Sequence, residues 1–109
     1  MRILGYTMGA FLMAMAVLPA QAKDLSTNQL EICIWGAGVA GKAQQSKLSG
    51  TTLYSARNNL KKRKFSKFWM PKMALGITEQ TYKSKSRLQP SVVKKTYYDG
   101  CIKHELARK

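Results

Sequence analysis

Acidic residues are scarce in this chain, and so are the residues that build most active sites. Its 109 residues include five Asp and Glu, one His and two Cys. The five carboxylates are scattered, with no pair placed for general acid–base catalysis. A metal centre needs three or four ligands, and Cys101 with His104 offers only two. The scarcity predicts a protein that is not an enzyme and has no catalytic residue, metal or cofactor.

Three interior glycines have the spacing G-x-G-x-x-G that is typical of dinucleotide-binding proteins: Gly36, Gly38 and Gly41. That fold also needs an acidic residue about 20 positions later to hold the ribose, and R-N-N-L-K stands there, at 57–61. The chain is also too short for a doubly wound sheet. We therefore predict a helix face of small residues, including Ala37 and Ala40, which lets another helix approach. Gly38→Val is expected to overpack that contact.

Residues 1–22 have the pattern of a secretory signal peptide. Arg2 precedes the apolar stretch Ile3–Leu18, and Ala20-Gln21-Ala22 forms a small-x-small cleavage site. The alternative is a retained membrane anchor, but this stretch is shorter than the roughly 20 residues of a spanning helix. No cysteine follows the site to carry a lipid. The pattern predicts a single domain, residues 23–109, that is periplasmic or secreted.

Export bears on the two cysteines, Cys33 and Cys101. In an oxidising compartment an even pair most simply forms one disulfide. Closure of so long a loop contributes about 4 kcal/mol in the chain-entropy model, a large share of the stability of a small domain. The alternative is two separate buried thiols.

The 19 Lys and Arg give the chain a formal net charge of +14. Such an excess predicts attraction to polyanions. Nucleic acid would be the first partner to consider in the cytoplasm, but export argues against it. The remaining polyanions are lipopolysaccharide phosphates, anionic lipids and acidic proteins.

Apolar residues recur at helical spacing, and no segment alternates with period two for long. The fold class predicted is all-α, a small bundle of about four short helices with a disulfide between the first and the last. The first helix follows Asp24, Ser26 or Thr27 and ends at Ser49-Gly50, with a stripe that includes Leu30, Cys33/Ile34, Ala37 and Ala40/Gly41. The second begins at Thr51 or Thr52, the third has Pro71 in its first turn, and Pro90 opens the fourth after a charged linker, 83–87.

Five cations are clustered with three aromatic residues in K-K-R-K-F-S-K-F-W-M, residues 61–70. Basic residues beside aromatic ones suit an anionic membrane or glycolipid surface. The candidate partner-binding residues are Lys61, Lys62, Arg63, Lys64, Lys67, Phe68 and Trp69. The alternative is that the lysines form a solvated face while the aromatic side chains belong to the core.

The layout resembles that of small exported one-disulfide helical proteins of proteobacteria and their phages. The matching elements are Cys33, Ala37 and Ala40 in the first helix, the stretch 77–82, Y-D-G-C at 98–101, and the C-x-W of Cys33-Ile34-Trp35. Among these, the layout is similar to that of phage Spackle-type proteins, a resemblance that implies a periplasmic inhibitor of a tail-associated lysozyme. Periplasmic acid-stress chaperones share the size, the export signal and the single disulfide. The strong positive charge departs from both groups.

Two classes of function follow. The first is a protein-binding module that inhibits an envelope or phage cell-wall hydrolase. The second is an envelope-surface protein that binds anionic lipid or lipopolysaccharide through residues 61–70. A periplasmic stress chaperone is a further alternative. Joint exposure of Phe68 and Trp69 beside the cations would favour the surface binder, and their burial would favour a protein partner.

Overall fold

A computed structural model describes residues 25–108, and this part of the chain contains four helices and no strand. The helices are α1 Thr27–Leu48, α2 Leu53–Lys62, α3 Met70–Lys83 and α4 Pro90–Ala107. The predicted all-α fold class and the order of its helices are confirmed. The predicted signal peptide, residues 1–22, lies outside the described residues.

Helix α1 is bounded by two specific caps. At its start, Ser26 Oγ accepts a hydrogen bond from the Gln29 N–H at 3.1 Å, and Gln29 Oε1 accepts one from the Ser26 N–H at 2.9 Å. This reciprocal pair is a capping box that the sequence analysis missed. At its end, Gly50 has φ +92°, and the N–H of Thr51 donates to the carbonyl of Ser46 at 2.9 Å. These are the features of a Schellman motif, so Ser49-Gly50 ends the helix as predicted.

Helix α1 is the centre of the bundle. It packs along α4 and against α3, while α2 packs mainly on α3. The central buried cluster consists of Val39, Ala40, Ala74 and Ile77, and it is surrounded by the half-buried side chains of Trp35, Leu60, Phe65, Met73, Val93 and Tyr97. The core is small in volume, because four of the nine buried apolar residues in the described part of the chain are alanine.

The disulfide Cys33–Cys101 joins α1 to α4, with 5.5 Å between the two Cα atoms. Cys33 is completely buried. The predicted link between the first and the last helix is confirmed, and the alternative of two separate thiols is excluded.

The small-residue face of α1 is present, but one of its predicted members lies elsewhere. An added Cβ at Gly36 would lie 2.7 Å from Tyr97 Cε1, and one at Gly41 would lie 3.4 Å from the carbonyl oxygen of Pro90. An added Cβ at Gly38 would have no neighbour within 4 Å. The predicted overpacking at Gly38 is therefore wrong, because this glycine points away from α4.

The connection between α3 and α4 is held on α1 by two side chains. Lys47 Nζ donates to the carbonyls of Thr81, Ser84 and Ser86, at 2.8 to 3.1 Å. Gln44, which is buried, donates through Nε2 to the carbonyls of Ser86 and Leu88 at 3.1 and 2.8 Å. The bond to Thr81 satisfies a carbonyl that the end of α3 leaves without an intrahelical partner, and the other bonds hold carbonyls that follow the helix. The linker predicted at 83–87 therefore has a defined position against α1.

Candidate anionic-surface site

Residues 61–70 connect α2 to α3. Helix α2 ends at Lys62, and the extended backbone of Arg63, with φ −79° and ψ 147°, turns the chain away from the helix axis. Lys61 and Lys62 occupy the last turn of α2, where the helix dipole favours positive charge. Helix α3 begins with Pro71 in its first turn, as predicted. The predicted candidate residues therefore span the last turn of α2 and the short connection that leads to α3.

The aromatic residues of this segment are divided between core and solvent. Trp35 of α1 makes edge contacts with Phe65, at 6.1 Å between ring centroids, and with Trp69, at 5.3 Å. Phe65 and Trp69 are consequently half-buried. Phe68 is 94% exposed. The structure therefore combines the two alternatives. Two of the aromatic rings pack on the domain, and the third, Phe68, is exposed to solvent.

The carboxylates of the described residues are all used in ion pairs within the chain. The pairs are Glu31–Lys67 at 2.8 Å, Glu79–Arg57 at 2.9 Å, Asp99–Lys95 at 2.8 Å and Glu105–Arg108 at 3.2 Å. Of the predicted cluster, only Lys67 takes part, and its bond to α1 helps to position the connection. This pairing leaves the remaining positive charge uncompensated.

The other four cations of the cluster are Lys61, Lys62, Arg63 and Lys64. All four side chains are exposed, and among the described residues no carboxylate lies within ion-pair distance of them. Arg63 lies over the ring of Phe65, with 5.0 Å from Cζ to the ring centroid, a cation–π geometry. The cluster is thus an exposed positive surface, and the exposed Phe68 follows it in the chain.

Two grooves flank α2. A smaller cavity of about 160 Å³ has Lys42, Asn59 and Arg63 among its lining residues. A larger groove of about 300 Å³ between α2 and α3 is lined by Arg57, Leu60, Lys61, Pro71, Lys72 and Leu75. The cationic surface therefore continues from the connection onto both sides of the helix.

A separate apolar surface lies near the start of α1. Ile34 is 59% exposed. It lines an open groove of about 490 Å³ together with Thr27, Leu30, Glu31 and Trp35. The sequence analysis placed Ile34 with Cys33 on the inward stripe, and that assignment is wrong for Ile34. The adjacent Cys33 takes the buried position, and a step of one residue turns a helix by roughly 100°.

Helix α4 carries titratable side chains outside residues 61–70, among them Tyr97, His104 and Glu105. Burial, and secondarily the negative charge of Glu105, raises the pKa of Tyr97. Glu105 is buried but accepts hydrogen bonds from Gln29 Nε2 and Arg108 Nη1. His104 is exposed in the last turn of α4. Within residues 25–108 there is no group of three side chains placed to hold a metal ion.

Comparison with models of known protein families, with curated proteins and with solved structures finds no match to this chain. Within the part of the chain that the structure describes, no helix is long and apolar enough to span a bilayer. The geometry itself must therefore carry the functional argument.

Proposed function

We propose that this is an exported, non-enzymatic protein that binds an anionic envelope surface, lipid or lipopolysaccharide, through residues 61–70. The observation that carries the proposal is Phe68, which is 94% exposed and follows four exposed cations that have no carboxylate partner among the described residues. An exposed phenylalanine is unfavourable in water, and attraction of these cations to acidic headgroups would bring it to an apolar layer.

Both parts of the segment contribute to such binding. A Lys or Arg close to an anionic leaflet contributes about 1 kcal/mol to the free energy of membrane binding, so the four cations together attract the protein to such a membrane. Burial of a phenylalanine side chain adds roughly 1.5–3 kcal/mol. The contacts of Trp35 with Phe65 and Trp69, and the Glu31–Lys67 pair, hold the segment on the domain. Little conformational entropy is then lost on binding, because the connection is already positioned.

The proposal is tested by flotation with vesicles of phosphatidylcholine that contain phosphatidylglycerol. We expect replacement of Lys61, Lys62, Arg63 and Lys64 by Gln to weaken binding at least tenfold. The matched control replaces four other exposed cations, Lys83, Lys85, Arg87 and Lys103, so that both variants lose the same charge. Equal weakening in both variants would show that net charge, and not this segment, is responsible.

Salt and Phe68 separate the electrostatic and the apolar contributions. Binding of the wild type is expected to fall as salt rises, because the Debye length is only about 8 Å at 0.15 M. Phe68→Ala is expected to weaken binding at every salt concentration, since burial of the ring does not depend on screening. A Phe68→Ala variant that binds vesicles as well as the wild type would argue against insertion of the ring.

A protein partner is the second candidate function, and the exposed Ile34 favours it. The groove around Ile34 is apolar and lies on the side of α1 that carries Leu30. Such a surface suits an inhibitor of an envelope or phage cell-wall hydrolase, the function that the resemblance to Spackle-type proteins implies. Peptidoglycan hydrolysis by a phage tail lysozyme should then slow in the presence of the protein. Ile34→Glu should abolish that inhibition, whereas Phe68→Glu should leave it unchanged.

A further inference from the structure

We infer that the groove between α2 and α3 holds one acyl chain of a single phospholipid molecule, whose phosphate lies between Lys61 and Lys72. The inference rests on the proposed function and names the ligand at that surface. It adds a specific lipid site to what would otherwise be attraction to a charged layer.

The lining of the groove suits an acyl chain. Its surface is predominantly apolar, with Leu60, Pro71 and Leu75 as its apolar residues, and its volume of about 300 Å³ is at the lower limit of small-molecule sites. Leu60 and Leu75 are half-buried and Pro71 is exposed, so the apolar surface remains open to a ligand. The smaller cavity beside Lys42 has only about 160 Å³.

The two ends of the groove differ in net charge: one end is neutralised by an ion pair and the other is positive. Arg57 in the middle of α2 pairs with Glu79 in the later part of α3 at 2.9 Å, which shows that these two parts of the helices lie side by side. Lys61 therefore lies at the end near the start of α3, where Lys72 also lines the groove. Arg57 is neutralised by its carboxylate, whereas Lys61 and Lys72 have no carboxylate partner among the described residues.

This polarity matches that of a phospholipid. The cationic end adjoins the connection that carries Phe68, so a phosphate held there would lie at the level of the headgroups. The acyl chain would extend along Leu60 and Leu75 toward the neutral end. Lysine is a suitable phosphate ligand because its ammonium group donates three hydrogen bonds and its apolar stem can line the groove.

The test uses dihexanoylphosphatidylglycerol below its micellar concentration, in calorimetry and in NMR titration of the leucine methyl groups. We expect saturable binding of one lipid, with shifts at Leu60 and Leu75. Dihexanoylphosphatidylcholine, which has the same chains and no net charge, should bind at least fivefold more weakly. Glycerol phosphate, which has the headgroup without chains, should give no methyl shifts. Equal binding of glycerol phosphate, or shifts confined to other residues, would overturn the inference.

Two variants assign the contacts. Lys72→Gln should weaken binding of the single lipid at least threefold, whereas Lys85→Gln, an exposed cation outside the groove, should leave that binding unchanged. Leu75→Asn should weaken binding of the lipid more strongly, and its circular dichroism spectrum checks that the variant is folded. If vesicles bind but the single lipid does not, the groove is empty of lipid and the inference fails alone. If the wild type does not bind vesicles, the proposed function fails.

Discussion

Gly36 and Gly38 are two residues apart on α1, yet they have different surroundings. The ring of Tyr97 and the methyl group of Met73 fill the space in which a Cβ at Gly36 would stand, at 2.7 and 2.8 Å. Gly38 has open space at the same position. Gly36 therefore permits the close approach of neighbouring helices, whereas Gly38 costs helix stability without an evident packing benefit.

We expect Gly36→Ala to lower the free energy of unfolding. Overpacking costs about 1–3 kcal/mol, which exceeds the roughly 1 kcal/mol that alanine gains over glycine in a helix. Gly38→Ala, the matched control, should raise the free energy of unfolding by up to about 1 kcal/mol. Urea denaturation followed by circular dichroism measures both. A stabilised Gly36→Ala variant would show that Tyr97 and Met73 move aside without cost.

Tyr97 predicts a pH dependence of stability. Burial and the charge of Glu105 raise its pKa in the folded state, so the folded protein holds the phenolic proton more tightly than the unfolded chain does. The contribution of the Tyr97 phenol to the free energy of unfolding is fully present below its pKa in the unfolded chain, about 10. This contribution is lost as the pH rises through its pKa in the folded protein. The free energy of unfolding should thus fall above about pH 10, and less steeply in Tyr97→Phe. An identical slope in both proteins would contradict this assignment.

At the scale of the elements, the helix ends are held by specific polar contacts. The Ser26–Gln29 capping box begins α1, and Lys47 near the end of α1 binds three carbonyls at the end of α3 and beyond it. One lysine therefore connects α1, α3 and the following connection. A positive charge at a helix carboxyl end also suits the dipole of α3.

Lys47→Met should destabilise the domain, because hydrogen bonds that involve a charged group contribute about 1.5–3 kcal/mol each and methionine retains only the stem. Lys42→Met, five residues earlier and exposed, is the control and should have little effect. Hydrogen exchange should show that the amides of residues 84–89 lose protection first in the Lys47 variant. Unchanged exchange there would mean that Gln44 alone holds the connection.

At the scale of the whole molecule, a small core is combined with a large excess of positive charge. The net charge of +14 already counts the carboxylates of the four ion pairs in the described residues, and this excess repels the helices from one another. The Cys33–Cys101 disulfide opposes this repulsion by joining α1 to α4 across 68 positions. The stability of the domain therefore depends strongly on the oxidised state.

Replacement of both cysteines by Ser should lower the free energy of unfolding by about 4 kcal/mol, the chain-entropy estimate for a loop of this length. Thermal melts of the variant and of the reduced wild type should agree. Added salt should partly restore stability to both, because it screens the excess charge. A small effect of reduction would mean that packing between α1 and α4 is sufficient by itself.

Export is tested by fractionation of the cells that produce the protein, followed by mass spectrometry of each fraction. We expect a periplasmic or secreted chain that begins at Lys23, as the Ala20-Gln21-Ala22 site predicts, with the mass reduced by two hydrogen atoms for the disulfide. A chain that keeps residues 1–22 would indicate the membrane-anchor alternative. Two free thiols in that sample would contradict the expectation of an oxidising compartment.

Local patterns in the sequence determined the four helices, the ends marked by Gly50, Pro71 and Pro90, and the pairing of the only two cysteines. The helices and their ends depend on residues that are close in sequence. The disulfide pairing follows because the chain has only two cysteines. The orientation of single side chains was decided by tertiary structure. Cys33 and Ile34 fit the same helical stripe, but only Cys33 is buried.

The candidate site shows the same division. The sequence alone identified the cations and aromatic rings of residues 61–70, but it left open which rings belong to the core. Trp35, from a distant position in the chain, covers Phe65 and Trp69 and leaves Phe68 exposed. Exposure depends on which long-range neighbour occupies the space above a side chain, and no local periodicity contains that information.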